Sequence, residues 1–358
     1  MLKSSRRRLL HIDALKAVAA QLIVLHHLSA YGPVADAVRG VAPQWIDVLY
    51  HYGRMAVQVF LVVGGFLSAR ALTGRGHALP DGVSVPELLW RRYLRLAPAF
   101  MVAVLLTLAC SALIQPWLPE LAPESVSFAQ LLSHFLLLHE VLGHQALTVG
   151  AWYVAVDFQL FAGLAGLLWL ARHMRRASAV LLVLTLGCAS LFMFNRMPEL
   201  EAWAPYFFGT YCLGVVVQGL SRSKYRRVGL LLMSAVVAAA LVLEFRERIV
   251  VALVTALALA WLQQRHELGE HFFVPRLAPL LARLGTQSYS LFLVHFPVCL
   301  LVNGLFAQQG MSGGEAGVAM TVVAWGLSNL AAMPFHRFIE APAGRIRLSG
   351  LLPRVRRA

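Results

Sequence analysis

The chain has 358 residues, of which 59% are hydrophobic and 13% are charged, and its mean hydropathy is +0.69. Soluble domains are about 45–50% apolar and about 25% charged, so this composition excludes a soluble globular protein and indicates one polytopic membrane domain. A net charge of +14 points to nucleic acid in a soluble protein, but basic cytoplasmic loops explain it in a membrane protein, and we predict no nucleic-acid partner.

Ten apolar runs are long enough to cross a bilayer, whose hydrocarbon core of about 30 Å needs roughly 20 mostly apolar residues per helix. An eleventh apolar run, 128–142, is short and contains His134, His139 and Glu140, so its status decides the topology. The cores of the ten predicted spans are residues 14–29, 56–69, 96–114, 152–170, 179–194, 204–220, 229–243, 250–263, 288–306 and 317–335.

The distribution of Lys and Arg assigns the two sides of the membrane, because cytoplasmic loops carry most of these residues. If residues 1–11 are cytoplasmic, the predicted outside connections contain only Arg39, Arg54, Arg196, Arg246 and Arg248. No Lys or Arg occurs between residues 96 and 171, so the connection at 115–150 belongs outside as one piece.

The sequence therefore predicts an all-α protein with about ten transmembrane helices and both termini in the cytoplasm. Residues 128–142 then form a short re-entrant or interfacial helix on the outer side. We predict one membrane-embedded domain over residues 1–343 and a basic cytoplasmic tail over residues 344–358.

The first span carries a stripe of ionisable side chains, which are costly within a bilayer unless they are paired or hydrated. Asp13 and Lys16 have the i,i+3 spacing of an ion pair. His27 follows Lys16 by three helical turns, or about 16 Å along the axis, so the three side chains share one face, whereas His26 points elsewhere and has a packing or supporting role. The alternative is a structural ion pair plus a histidine bonded to a neighbouring helix.

The fourth span enters from outside and carries Asp157 and Gln159 close to its start. Asp157 is then at a depth comparable with His27, and a carboxylate beside an imidazole can orient it for removing a proton from a hydroxyl. The alternative is an aspartate that pairs with any donor to hold two helices together.

Two further positions carry possible chemistry. Arg92 and Arg95 lie one turn apart at the cytoplasmic start of the third span, where two guanidinium groups can bind phosphate, although topology alone also favours arginine there. His295 precedes Pro297, and the proline can kink its helix and free backbone carbonyls.

Metal and disulfide chemistry are not expected. His134, His139 and His144 recur every five residues, which is poor geometry for a shared metal, and the four cysteines lie singly in apolar runs. Gly64 and Gly65 in the second span are expected to permit close helix packing.

Six motifs in order resemble the acyltransferase-3 family of integral-membrane acyltransferases, which modify sugars of bacterial surface and exported glycans. The family's first helix typically reads Leu-Asp-Gly-Leu-Arg, then ten residues and His. The corresponding segments here are Ile12-Asp13-Ala14-Leu15-Lys16 with His27, Phe60-Leu-Val-Val-Gly64-Gly65-Phe66, Arg92-Tyr-Leu-Arg95 with Pro98, Trp152 to Phe161, Tyr289 to Pro297, and His336-Arg337-Phe338-Ile339-Glu340-Ala-Pro342.

The resemblance covers residues from about 10 to 343, with three departures from the family pattern. Lys16 replaces an arginine, Gly64 replaces a serine and Asp157 replaces a glutamate. Lys16 keeps the charge but loses the planar fork of arginine, and Asp157 has a shorter side chain than glutamate.

The resemblance implies transfer of an acetyl or other short acyl group from cytoplasmic acyl-CoA to a hydroxyl of a glycan or lipid-linked saccharide, in the bacterial inner membrane. His27 would be the general base, Asp157 would orient it, and Arg92 and Arg95 would hold the donor phosphates; acetyl-CoA or another acyl-CoA is a substrate, and no bound cofactor is expected. Direct transfer and a covalent acyl-enzyme both stay open. The alternative class is a transporter or glycan exporter whose intramembrane charges relay protons, and a non-enzymatic scaffold comes third.

Overall fold

The protein is described by a computed structural model that covers residues 9–74, 78–80, 82–172, 177–269 and 276–344. It is all-helical, with 82% helix and no strand in that part of the chain. The helices are α1 (Leu10–Ala30), α2 (Gly32–Val41), α3 (Pro43–Tyr52), α4 (Ala56–Thr73), α5 (Val85–Ile114), α6 (Phe128–Phe135), α7 (Ala151–Arg172), α8 (Ala177–Phe192), α9 (Ala204–Leu220), α10 (Arg226–Leu243), α11 (Glu247–Glu267), α12 (Ala278–Gln308), α13 (Gly314–Phe335), a π-helical turn (His336–Glu340) and α14 (Ala341–Ala343).

The ten predicted spans are all helical. Among the described residues, nine helical stretches are long and apolar enough to cross a membrane, and α9, with 17 residues, is a shorter tenth. The predicted all-α polytopic membrane protein is confirmed, while the cytoplasmic location of the termini stays a prediction. The predicted tail, apart from Gly344, lies outside the described residues.

Two helices of 10 residues each, α2 and α3, were not predicted from the sequence. They follow α1 directly, and both begin with a proline in the first turn, where the missing N–H costs nothing. Neither is long enough to span a bilayer, which is why a search for apolar runs of about 20 residues misses them.

The 128–142 segment folds back along α5, and its predicted re-entrant or interfacial place in the membrane stays a prediction. Its helix, α6, ends at Phe135 and is therefore shorter than predicted. The Tyr93 hydroxyl near the start of α5 donates to the Phe135 carbonyl at 2.8 Å, whereas Thr148, after this segment, accepts from Thr107 further along α5 at 3.0 Å. Since α5 ends beyond Thr107, the chain runs back along α5 as far as Tyr93 and then returns to the level of Thr107.

Two pairs of helices make close backbone contacts that position the polar residues. A Cβ atom on Gly65 of α4 would lie 1.9 Å from the Tyr211 carbonyl oxygen of α9, and a Cβ on Gly285 of α12 would lie 2.3 Å from the Asp13 carbonyl oxygen of α1. The close packing predicted for the Gly64–Gly65 pair is confirmed at Gly65. A Cβ on Gly64 would only touch the Tyr211 ring at 3.5 Å.

Candidate active site

Two large cavities enter the helical bundle and share two lining residues. We call the first, of about 1440 Å³, the inner cavity; it is lined by Lys16, Arg92, Arg95 and Asp157 among others. The outer cavity, of about 1130 Å³, is lined by His26, His27 and Trp152 among others. The names follow the predicted orientation of the chain. Tyr153 and Phe292 line both cavities.

His27 in the outer cavity is bonded to a second histidine. His27 Nδ1 lies 2.8 Å from His295 Nε2, and His295 Nδ1 lies 3.2 Å from the Leu291 carbonyl oxygen. A carbonyl only accepts, so His295 Nδ1 carries its proton and the neutral ring accepts at Nε2. His27 must then donate from Nδ1, which leaves the lone pair on its Nε2. This is the protonation pattern that a general base requires.

Asp157 is bonded to Arg92 and not to His27, so the predicted pairing of Asp157 with His27 is not formed. Arg92 Nη2 donates to Asp157 Oδ2 at 2.5 Å, and the guanidinium carbon lies 5.2 Å from the centre of the Phe161 ring. Both side chains are largely buried. A guanidinium is a stronger partner for a buried carboxylate than a neutral imidazole is, and Asp157 faces the inner cavity, whereas His27 faces the outer one.

Lys16 and Arg95 are the other two predicted site cations that line the inner cavity. Lys16 Nζ lies 3.3 Å from Asp13 Oδ1, which confirms the predicted i,i+3 pair. Arg95 lines the inner cavity one turn after Arg92 and, in the described part of the chain, makes no ion pair. The two arginines therefore differ: Asp157 neutralises Arg92, and Arg95 keeps its guanidinium for another partner.

Two predicted supporting residues have structural contacts. Gln159 holds the start of α9, because its side-chain oxygen accepts from the Ala204 N–H at 2.9 Å and its amide donates to the Ala202 carbonyl at 3.2 Å. His26 Nδ1 lies 3.2 Å from the Leu49 carbonyl oxygen of α3. His26 lines the outer cavity beside His27, with ring centroids 4.9 Å apart, but α3 fixes its ring.

Three residues of the inner cavity were missed as site candidates. Arg70 and Arg222 line it with exposed side chains. Glu340 also lines it, in the π-helical turn, where it accepts from Ser290 at 2.5 Å and lies 2.9 Å from His336 Nδ1. Its place in the last family-like motif was the available signal, and π-helical turns are frequent at functional sites.

Two histidines of the 128–142 segment pack as a buried pair. The rings of His134 and His139 stack with their centroids 4.1 Å apart, and His134 Nε2 accepts from the Leu147 N–H at 3.0 Å. Within the residues that the structure describes, no group of three or more His, Cys, Asp or Glu side chains could hold a metal ion.

The chain matches a model of a known protein family. The family model described as an acyltransferase domain matches residues 9–335, nearly the whole chain. No curated protein and no solved structure matches the chain. The matched residues include both histidines of the His27–His295 pair and both members of the Arg92–Asp157 pair.

Proposed function

The chain belongs to this family of acyltransferases, and we propose that it transfers an acetyl or other short acyl group from cytoplasmic acyl-CoA to a hydroxyl of a surface or exported glycan in the bacterial inner membrane. The observation that carries the proposal is the pair of cavities with different chemistry that meet at Tyr153 and Phe292. Basic side chains line the first, and a histidine with the protonation pattern of a base lines the second.

The inner cavity is the proposed donor site. The phosphates of acyl-CoA are bound by guanidinium groups, which match phosphate oxygens bidentately. Arg95, Arg70 and Arg222 supply these groups. The cavity volume of about 1440 Å³ exceeds the roughly 300–1,000 Å³ of sites for drug-sized ligands, which suits a long donor such as acyl-CoA.

The outer cavity is the proposed acceptor site. Trp152 and Tyr31 offer aromatic faces there, and Glu120, Glu140 and Glu201 offer carboxylates. Apolar faces combined with a few convergent polar groups are typical of small-ligand sites, and a saccharide presents ring faces and hydroxyls that complement them. A glycan or lipid-linked saccharide therefore suits this cavity.

In the proposed reaction, His27 Nε2 removes the proton from the acceptor hydroxyl while the hydroxyl oxygen attacks the thioester carbonyl carbon. The C–S bond breaks, the ester forms, and the CoA thiolate takes the proton from His27. His295 accepts the hydrogen bond from His27 Nδ1 throughout, which favours the positive charge that develops on the His27 ring. We write this as direct transfer, with no acyl-enzyme.

The test compares His27→Ala with His26→Ala, two neighbours on one helix. Purified full-length protein in lipid nanodiscs is given acetyl-CoA and surface glycan from a strain that lacks the gene for this chain, and free CoA and glycan ester are measured. A general base contributes about 10²–10⁴-fold, so His27→Ala should lose about that factor while His26→Ala keeps most activity. Equal activity of both variants would contradict the role of His27. Solute flux without ester formation would favour the transporter.

A further inference from the structure

The aromatic side chains of Tyr153 and Phe292 lie where the two cavities meet. Among the described residues, these two alone line both cavities. Their ring centroids are 5.5 Å apart and the ring planes are inclined by 67°, an edge-to-face contact. We call this pair the septum.

The septum lies between the two polar pairs of the site. On α7, Tyr153 precedes Asp157 of the inner cavity by one turn. On α12, Phe292 is close to His295, with ring centroids 6.2 Å apart, and His295 is bonded to His27 of the outer cavity. An acyl group that starts in the inner cavity and reaches a hydroxyl beside His27 must therefore pass the septum.

Both septum rings also pack against a neighbouring residue. Phe292 packs against the backbone of Gly150, which has φ +75°, and a Cβ atom there would lie 2.5 Å from Phe292 Cζ. The ring of Tyr153 contacts that of Phe60 at a centroid distance of 6.0 Å. Movement of either ring towards these neighbours is therefore opposed by close packing.

We propose that Phe292 and Tyr153 set the upper size of the acyl group, so that acetyl is transferred and longer acyl groups are rejected; this inference rests on the proposed function. The tail of the acyl group lies beyond its carbonyl carbon and must enter the septum with it. An acetyl group adds one methyl there, whereas each further methylene must push the rings apart. One methylene in such a site changes selectivity by about 10–200-fold.

The experiment measures the ratio of butyryl to acetyl transfer. Membrane vesicles from a strain that lacks the native gene carry the full-length wild type or a variant, and receive an equimolar mixture of differently labelled acetyl-CoA and butyryl-CoA. The label esterified to the vesicles' own glycan is then counted. Phe292→Leu should raise the butyryl-to-acetyl ratio by about tenfold or more. Tyr153→Leu opens the septum from the other side and should raise the ratio as well, which covers the case in which one variant fails to fold.

Two matched controls test the assignment to the septum. Tyr153→Phe keeps the ring and removes only the hydroxyl, and Phe296→Leu makes the same substitution one turn further along α12, where the residue lines only the outer cavity. Both should leave the ratio unchanged. An unchanged ratio in active Phe292→Leu and Tyr153→Leu overturns this inference alone. If wild-type vesicles esterify neither label, the proposed function is overturned, and this inference with it.

Discussion

His27 and His295, 268 residues apart in the chain, are joined by a hydrogen bond of 2.8 Å between Nδ1 of the first and Nε2 of the second. The two rings are also stacked, with centroids 4.9 Å apart. His295 is fully buried and anchored to the Leu291 carbonyl, so it defines both the tautomer and the orientation of His27. His295 therefore has the orienting contact with His27 that the sequence analysis had suggested for Asp157.

We predict that His295→Ala lowers kcat by about 10–100-fold, the range for hydrogen-bond partners that orient functional histidines in metal sites. The loss follows because His27 Nδ1–H would have no acceptor and the ring could adopt the other tautomer. The KM for acyl-CoA should change little, since His295 lies on the outer side of the septum. Steady-state kinetics of CoA release measures both quantities.

His295→Gln separates positioning from packing in that prediction. The side-chain oxygen of glutamine can accept from His27 Nδ1, so this variant should keep clearly more activity than His295→Ala at similar thermal stability. A kcat of the wild-type value in His295→Ala would show that the hydrogen bond has no part in the reaction.

The sequence predicts the fold well because hydropathy and charge along a membrane chain report span and depth directly. The Asp13–Lys16 pair was also predictable, because an i,i+3 spacing fixes a contact within one helix. The partner of Asp157 was not predictable from the sequence. The predicted depth in the membrane left both His27 on α1 and Arg92 on α5 as candidate partners of Asp157. Which of them faces Asp157 depends on the rotation of each helix about its axis, and packing between distant segments determines that rotation.

The same reasoning explains what else was missed. The His27–His295 pair requires α1 and α12 to be neighbours, which a single sequence does not reveal. Arg70 lies in the last turn of α4 and Arg222 just after α9, and they line one cavity because α4 and α9 pack together. Topology and phosphate binding call for the same residue type at a cytoplasmic helix end, so the sequence could not separate them.

The topology prediction concerns the loops at Gly143 and Gly310. Both glycines are exposed and have positive φ, at 70° and 59°. If the 128–142 segment is re-entrant from outside, reporter domains fused after Gly143 and after Gly310 should both have extracytoplasmic activity. Paired alkaline phosphatase and fluorescent-protein fusions measure this. A cytoplasmic signal at Gly143 would invert the sidedness of the two cavities.

The two neighbouring glycines of α4 should respond differently to alanine. Overpacking a close-packed interior costs about 1–3 kcal/mol, and the Cβ of Gly65→Ala would meet the backbone oxygen of Tyr211 at 1.9 Å, where helix α9 itself must move. We therefore predict a loss of at least about 1–3 kcal/mol in Gly65→Ala. Gly64→Ala meets only ordinary contacts and should be close to wild type. Thermal unfolding in detergent compares them, and equal stability would contradict the close contact of α4 with α9.

Arg92 and Arg95 should separate into a structural and a donor-binding residue. Removing one partner of a buried ion pair costs about 3–5 kcal/mol, because the other charge is left uncompensated. Arg92→Leu should therefore destabilise the protein by about that amount, and Arg92→Leu combined with Asp157→Leu should recover much of it. Arg95→Ala breaks no ion pair and should unfold like the wild type. Loss of one phosphate contact should weaken donor binding by about 1.5–3 kcal/mol, and the KM for acyl-CoA should rise accordingly. Thermal unfolding and donor titration measure the two effects. If Arg95→Ala left the KM unchanged, the arginine would belong to topology alone.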